Sequence, residues 1–228
     1  MHCIFSIVSR FVVILSVTFS MTLNAAEPGD FKSQLFTSGN LDYSDDFGGE
    51  YHAGRWGARR DDKRMEGGKL IVEPRFASKD EAMRVLKRDH HLGLEPVVHL
   101  NQIPEAFVCH IRYKFDAKKL TPGRPCFQIG HHMIVLTLLE SGGHQIRLPD
   151  GQVFKEPNSK AALGQWIDLV IEYKKGEMLL GVNEYKKIYK DEAVTIINEK
   201  DKFGPRFSIK GGPECKIVFD SVRLWSAE

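Results

Sequence analysis

The sequence predicts an all-β protein whose antiparallel strands form a sandwich or a barrel. The last quarter of the chain consists of short segments rich in Val, Ile, Phe and Tyr, each closed by Gly, Pro or Asn within about 8–12 residues. Those turns leave no room for a helix of ordinary length. Residues 106–115 also alternate apolar and polar side chains, as a strand with one solvent-facing side does.

Composition indicates one globular domain. The chain has 228 residues, of which 42% are hydrophobic and 27% are charged, and an all-β sandwich or barrel of about 200 residues is common as one unit. The formal net charge is +2. A charge this close to zero argues against a nucleic-acid partner, because such proteins carry a strongly basic surface.

The N-terminus has the pattern of a secretory signal peptide. Arg10 precedes an apolar stretch at residues 11–21, and the small residues Ala25 and Ala26 follow. We therefore expect a signal peptide over residues 1–26, cleaved after Ala25 or Ala26, and a secreted or periplasmic mature chain without membrane insertion. An uncleaved N-terminal anchor is the alternative. No other apolar run approaches the roughly 18 residues that a membrane span needs.

The remaining elements follow in chain order. Residues 27–40 are polar and are predicted to be a lead-in to the domain. A hairpin is predicted over residues 65–72, because Gly67-Gly68 has the φ freedom that a tight turn needs. Residues 80–88 fit either a short helix or a strand. The other strands predicted before the last quarter are 41–47, 97–100, 106–115, 127–130, 133–139 and 144–148. The segment 133–139 is apolar on both faces and is therefore expected at the centre of a sheet.

The last quarter resembles a known group of folds. Trp166 opens a strand, a Lys-Gly hairpin leads to a strand that ends near Asn183, a Gly-Pro pair stands at 204–205, and residues 218–224 read Val-Phe-Asp-Ser-Val-Arg-Leu. This order resembles the concanavalin A-like lectin/glucanase superfamily, and within it the 3-keto-disaccharide hydrolase domain proteins and their uncharacterised secreted relatives. The resemblance implies a two-sheet antiparallel jelly-roll sandwich over residues 41–228 and a carbohydrate as partner.

Catalytic carboxylates are hard to assign from this resemblance. Glucanases of the superfamily place Glu-x-Asp-x-Glu on one strand, and retention needs two carboxylates about 5–5.5 Å apart, but that motif is absent here. Of the 3-keto-disaccharide hydrolase pattern only Gln145 and Asp150 are matched, and residues 124–126 replace its Asn-Ser-Gly element. Asp150 and Glu140, with a histidine partner, are the catalytic candidates.

Sugar sites combine flat rings with planar polar side chains that bind hydroxyl groups. The candidate carbohydrate-binding residues on this basis are Trp56, Arg59, His131, His132, Gln145 and Arg147. Trp56 and Arg59 lie in an early loop, and Gln145 and Arg147 lie on a middle hairpin. The resemblance implies that both regions approach one concave face.

No cofactor is required by this interpretation, but the resemblance implies a structural calcium ion near the first and last strands. Asp45, Asp46 and Asp220 are the candidate ligands, because Ca²⁺ prefers carboxylate and carbonyl oxygens. Solvated aspartates at a strand bulge are the alternative.

Three cysteines remain after the predicted signal peptide: Cys109, Cys126 and Cys215. A Cys109–Cys215 disulfide bond and buried free thiols are both compatible with an exported chain that has an odd number of cysteines.

Three functions are compatible with these patterns. The first is a secreted sugar-binding or accessory module, because the catalytic patterns of the superfamily are broken. The second is a divergent glycoside hydrolase of the 3-keto-disaccharide hydrolase type. The third is a structural protein of the cell envelope that has kept the fold alone.

Overall fold

The computed structural model describes residues 31–88, 91–202 and 204–228, so the predicted signal peptide lies outside the described residues. The two helices are α1 (Ala53–Trp56) and α2 (Lys79–Leu86), and a 3₁₀ turn covers Pro157–Ser159. The strands are β1 (Gly39–Asp45), β2 (Lys63–Met65), β3 (Leu70–Val72), β4 (Val97–Leu100), β5 (Phe107–Asp116), β6 (Cys126–Ile129), β7 (Ile134–Leu138), β8 (His144–Arg147), β9 (Val153–Glu156), β10 (Ile167–Lys174), β11 (Glu177–Val182), β12 (Tyr185–Lys190), β13 (Phe207–Lys210) and β14 (Lys216–Ala227).

The described strands form two antiparallel sheets, which confirms the predicted β-sandwich. Sheet A has eight strands in the order β12-β11-β10-β5-β14-β3-β2, with β1 also paired to β14. Sheet B has six strands in the order β4-β13-β6-β7-β8-β9. The long strand β14 pairs with β5 along one side, and with β3 and then β1 along the other. It therefore ties the N-terminal strand to the middle of sheet A.

The core lies between the sheets and follows the predicted alternation. On β5 the core side chains are Phe107, Cys109, Ile111, Tyr113 and Phe115, whereas Val108 is buried on the outer surface of sheet A in a cluster with Trp225. Across the sandwich, Tyr113 meets Phe127 of sheet B at a ring-centroid distance of 5.4 Å, and Phe107 meets Phe207 at 5.6 Å. Each fully buried side chain of this size contributes roughly 1.5–3 kcal/mol relative to leaving it exposed.

For residues 80–88 the sequence left helix and strand open, and the structure has the helix α2 over Lys79–Leu86. The Ser78 side chain accepts a hydrogen bond from the Glu81 backbone N–H at 3.2 Å, and Glu81 in turn accepts from the Ala77 N–H at 3.1 Å. These bonds satisfy backbone donors that the first helical turn leaves open. The cap therefore decides between two conformations that the hydrophobic periodicity did not separate.

Residues 31–37 lie across the outer surface of sheet A and are called the strap below. Phe31 packs edge-on against Trp225 of β14 with ring centroids 6.2 Å apart. The buried carboxylate of Glu172 accepts hydrogen bonds from the Ser33 hydroxyl at 2.6 Å and from the Gln34 and Leu35 backbone N–H groups at 2.8 Å. This part of the predicted lead-in is therefore packed on the domain, and β1 begins at Gly39.

All three cysteines in the described residues are free and buried, so of the two alternatives the buried free thiols are confirmed and the Cys109–Cys215 bond is wrong. Cys109 pairs with Leu224 across the β5–β14 ladder, whereas Asp116 at the other end of β5 pairs with Lys216. Cys215 thus lies roughly 23 Å along the strand from Cys109, far beyond the reach of a disulfide bond.

No helix among the described residues is long and apolar enough to cross a membrane.

Candidate functional site

The outer surface of sheet B, called the sheet B face below, presents two rows of side chains across all six strands. In both rows the register places one residue of each strand beside the next. The first row is His99, Ser208, Gln128, Val135, Arg147 and Val153. The second row is Val97, Lys210, Cys126, Thr137, Gln145 and Lys155.

None of these twelve strand positions carries a carboxylate. The central strand β7 presents Val135 and Thr137 to the outside, while Ile134, Leu136 and Leu138 are buried toward the core. A glucanase-type pair needs two carboxylates about 5–5.5 Å apart. The sheet B face therefore does not provide such a pair from its own strands.

Three imidazoles gather at one end of the first row. His99 Nδ1 lies 2.9 Å from the Ser208 hydroxyl, and its ring centroid lies 6.1 Å from that of His131. The rings of His131 and His132, in the turn between β6 and β7, are 3.9 Å apart. Because Val135 pairs with Arg147 at the start of β7, this turn lies at the same end of the sheet B face as Arg147.

The histidine turn is held by a loop from residues 196–202. Asp201 pairs with His131 Nδ1 at 2.9 Å and with Arg206 Nη2 at 3.1 Å, and Asn198 donates to the His131 carbonyl at 3.1 Å. The Asp201 side chain is only 5% exposed. The loop therefore fixes the position of His131 through a side-chain contact with Asp201 and a hydrogen bond to its backbone carbonyl.

Gly130 permits this close packing. Its φ of +72° lies in the left-handed region, and a Cβ atom there would stand 2.4 Å from the carbonyl oxygen of Ile196. Only glycine lets the loop approach the histidine turn so closely.

The imidazoles of this end are held neutral. Burial, assisted by the Arg206 guanidinium, lowers the pKa of His99 to about 4. Burial and Arg206 also lower the pKa of His131, against the opposing effect of Asp201, and burial lowers the pKa of His132. Near neutral pH these side chains therefore act as flat polar rings with one donor and one acceptor nitrogen each.

Gln128 stands beside Ser208 in the middle of the sheet B face. It is 5% exposed, and its Oε1 atom is buried without a hydrogen-bond partner in the described structure. Buried polar atoms in folded proteins are nearly always hydrogen-bonded to protein, water or a ligand. Gln128 Oε1 is thus a buried acceptor beneath the sheet B face that no described group satisfies.

The structure separates the predicted sugar-binding residues into two groups. Gln145 and Arg147 lie on the sheet B face, and His131 and His132 border it. Trp56 is 1% exposed in the core, where its indole N–H donates to the Tyr43 hydroxyl at 2.8 Å. That indole is therefore inaccessible to a sugar ring.

Arg59 is exposed, and its guanidinium lies 5.9 Å from the Tyr51 ring. It follows α1, which contacts β4, and β13, β6 and β7 separate β4 from the strand of Gln145 and Arg147. The expected convergence of the early loop with the middle hairpin is not seen at this residue.

The catalytic candidates Asp150 and Glu140 lie at opposite ends of β8. Asp150 follows the strand, is exposed, and accepts hydrogen bonds from Gln152, which lower the pKa of its carboxyl group. Glu140 precedes the strand and lines a shallow groove of about 430 Å³ with Lys118 and Leu163. Because β8 alone spans roughly 10 Å, the two carboxylates do not form a catalytic pair.

The calcium candidates are engaged with protein groups. Asp45 accepts from the Tyr43 hydroxyl at 2.5 Å and the Phe47 N–H at 2.8 Å, and Asp46 accepts from the Gly48 N–H at 3.0 Å. Asp220 pairs with Lys69 and, at 3.5 Å, with Arg112. Across the described ranges, no three His, Cys, Asp or Glu side chains converge in a way that could hold a metal ion.

Sequence reasoning missed Gln128, Ser208 and Lys210 as members of the site. Each follows an apolar neighbour in a short strand, Phe127, Phe207 and Ile209 respectively. A polar residue at the outward position of a buried strand was the available signal.

No protein-family model and no curated protein sequence matches the chain. Solved structures match over most of its length. A non-specific endo-β-1,3(4)-glucanase of family GH16 superposes with a TM-score of 0.57 at 14% identity, covering 85% of this chain and 93% of that one. The laminarinase catalytic domain of Thermotoga petrophila RKU-1 gives 0.51 at 12% identity, with 84% and 99% covered.

A third structure, from work on endo-acting O-glycanases that human gut bacteria use to initiate mucin breakdown, gives a TM-score of 0.53 at 12% identity and covers 83% of this chain and 100% of that one. At such identities the likeness shows the fold alone. The chain has the two-sheet antiparallel jelly-roll sandwich fold of these structures, as the sequence predicted.

Proposed function

We propose that this protein binds carbohydrate on the sheet B face without hydrolysing it. One observation carries the proposal: twelve outward strand positions present polar, cationic and small apolar side chains, none of them a carboxylate, around the unpartnered Gln128 Oε1 atom. The shared fold with glucanases supports a carbohydrate as the class of ligand. The missing carboxylates argue against the hydrolytic mechanism of those enzymes.

Different side chains of the sheet B face bind different groups of the sugar. Gln128 accepts a hydrogen bond from a sugar hydroxyl at the floor of the face, and Gln145 and Arg147 bind hydroxyl or acidic groups above it. The rings of His131 and His132 offer a flat surface near His99, toward the β4 side of the face. No Trp, Tyr or Phe stands at the twelve positions, so recognition depends on hydrogen bonds more than on stacking.

A glycan array tests this proposal, read first for binding to the chain from Glu27 onward and then for released products. We expect binding without products. Gln128→Leu should weaken binding about tenfold or more, because the equivalent of one buried hydrogen bond is lost. Gln165→Ala, which removes an exposed glutamine from a turn outside sheet B, is the matched control. An array that shows neither binding nor released products would instead favour a structural role.

A hydrolase of the 3-keto-disaccharide type is the second candidate. It is favoured by one observation: Asp150 follows β8 at the end where Arg147 lies, so it stands at the same end of the sheet B face as the histidine turn. The depressed pKa of Asp150 keeps its carboxylate ionised, as a nucleophile must be. Products on the array that disappear in Asp150→Asn would establish this function and contradict the first.

Export to the cell exterior or periplasm is part of the proposal. The mass of the chain purified from the culture medium or periplasm should correspond to a start at Ala26 or Glu27. A chain that keeps residues 1–26 would contradict cleavage.

A further inference from the structure

The two outer surfaces of the sandwich differ in whether carboxylates stand among their strand cations. Lys114, Lys186 and Arg223 of sheet A form no ion pair with described residues, but other cations of that surface lie beside Asp168 and Glu177. On sheet A, Arg112 pairs with Asp168 at 2.7 Å, and Lys174 and Lys190 pair with Glu177 at 3.1 and 2.7 Å. On the sheet B face the cations are Arg147, Lys155 and Lys210, and none has an ion pair with a residue that the structure describes. In a chain with 32 basic and 30 acidic residues, this is a local excess of positive charge.

Carboxylates that approach the sheet B face from its loops are already engaged. Glu95 pairs with Arg124 Nε at 3.2 Å, and Asp201 pairs with Arg206 and His131. These loops therefore add arginines together with their partners. Asp150, which follows Arg147 along the chain, is hydrogen-bonded to Gln152 and forms no ion pair with a described residue. Lys210 stands among Arg124, Arg206 and Glu95, and burial lowers its pKa. An anionic group from a ligand would stabilise its charged form.

Lys210 and Arg147 stand on either side of a floor, which is the part of the sheet B face formed by the small or buried side chains of β6 and β7. Lys210 lies on β13 and Arg147 on β8, with β6 and β7 between them, so their strands are about 14 Å apart. The intervening strands offer Thr137, the nearly buried Val135 and the Gln128 amide. A short oligosaccharide can lie across this floor with acidic substituents near both cations.

We propose that the sheet B face recognises an acidic oligosaccharide, whose carboxylate or sulfate groups bind Arg147 and Lys210 while a hydroxyl donates to Gln128 Oε1. This inference rests on the proposed carbohydrate-binding function and names the class of sugar. Guanidinium groups bind carboxylate and sulfate oxygens in paired hydrogen bonds, and an ammonium group binds them as a point charge.

Titration calorimetry with four probes tests the inference: an alginate tetrasaccharide for uronate, a sulfated galactan tetrasaccharide for sulfate, laminaritetraose as the neutral sugar, and a single-stranded DNA oligonucleotide as a polyanion without sugar acids. We expect one acidic tetrasaccharide to bind at least tenfold more tightly than laminaritetraose. Its affinity should fall as salt rises from about 50 to about 200 mM, because exposed charges are screened.

Substitutions at the two cations test whether the acidic tetrasaccharide binds on the sheet B face. Arg147→Gln and Lys210→Gln should each weaken binding of the acidic tetrasaccharide about tenfold, whereas Arg223→Gln, an exposed arginine of β14 on sheet A, should leave it unchanged. Thermal melting of each variant confirms that it is folded.

Different binding results would overturn the acidic ligand alone or the carbohydrate-binding function as well. Laminaritetraose binding that equals the acidic sugars and depends on Gln128 but not on Arg147 would overturn the acidic ligand and keep the carbohydrate-binding function. DNA binding as tight as that of the acidic sugars would overturn the inference in favour of general polyanion attraction. The absence of binding to all the sugars would overturn the inference and the function together.

Discussion

At the scale of single residues, the buried histidines link the fold to pH. His144 is 1% exposed, its Nδ1 atom lies 2.8 Å from the Ser159 hydroxyl, and burial lowers its pKa from 6.5 to about 4. The unfolded chain therefore binds a proton below about pH 6.5 that the folded chain excludes until about pH 4. By linkage the folded state loses stability as the pH falls through this interval.

We expect the free energy of unfolding to fall between about pH 6.5 and about pH 4.5, where most carboxylates stay ionised. His144→Asn should flatten this dependence in urea unfolding followed at several pH values, because one group with different pKa values in the two states is removed. His52→Asn, at an exposed position, is the control. An unchanged slope in His144→Asn would show that His144 is not a source of the effect.

Trp56 illustrates how burial changes the role of a residue type. Its indole N–H donates to Tyr43, whose hydroxyl donates to Asp45, and its ring contacts Phe47 and Phe219 at centroid distances of 5.6 and 5.1 Å. Trp56→Phe should lower the free energy of unfolding by about 2 kcal/mol, because it removes a buried donor and part of the packed volume. Sugar affinity should not change.

Trp166→Phe provides the comparison for this measurement. Trp166 is half-buried, with the cations of Lys69, Arg112 and Lys114 5.2–5.6 Å from its ring, so we expect a loss below about 1 kcal/mol. A loss of sugar affinity in Trp56→Phe without a loss of stability would contradict the assignment of Trp56 to the core.

At the scale of elements, the strap joins the start of the described chain to sheet A. The Glu172 carboxylate is the acceptor for two strap backbone N–H groups and one hydroxyl, and Trp225 lies beneath Phe31. Charge-assisted hydrogen bonds are stronger than neutral ones. The strap therefore depends on the charge of one buried side chain.

Glu172→Gln should lower the free energy of unfolding by about 1–3 kcal/mol and speed amide hydrogen exchange at Gln34 and Leu35, because an amide oxygen is a weaker acceptor than a carboxylate. Glu184→Gln, at an exposed turn position, is the control. Equal exchange rates in wild type and Glu172→Gln would contradict this role for Glu172.

The strap is an example of a contact between distant segments, which local sequence patterns do not reveal. Its residues are mostly polar, which predicted a lead-in, yet Ser33 and Glu172 are 139 positions apart in the chain. Period-two alternation showed the inward side of β5 because that signal is local. A contact between distant segments depends on the folded topology, and no pattern of neighbouring residues contains it.

At the scale of the whole molecule, the sequence sufficed for the class of fold and for the strand that carries Gln145 and Arg147. Gln145 and Arg147 were predicted from a turn-flanked strand and do lie on the sheet B face. Asp150 and Glu140 are ten positions apart in sequence, but the direction of β8 places them at opposite ends of a sheet. Strand pairing, which composition does not determine, decides such distances.

The measurement that tests the proposed function most directly is a backbone-amide NMR titration of the chain from Glu27 onward with alginate tetrasaccharide, or with laminaritetraose if the neutral sugar binds more tightly. We expect the largest shift changes at Gln128, His131, Arg147 and Ser208, with the sugar recovered intact. Changes confined to the outer surface of sheet A, or a cleaved sugar, would contradict non-hydrolytic binding on the sheet B face.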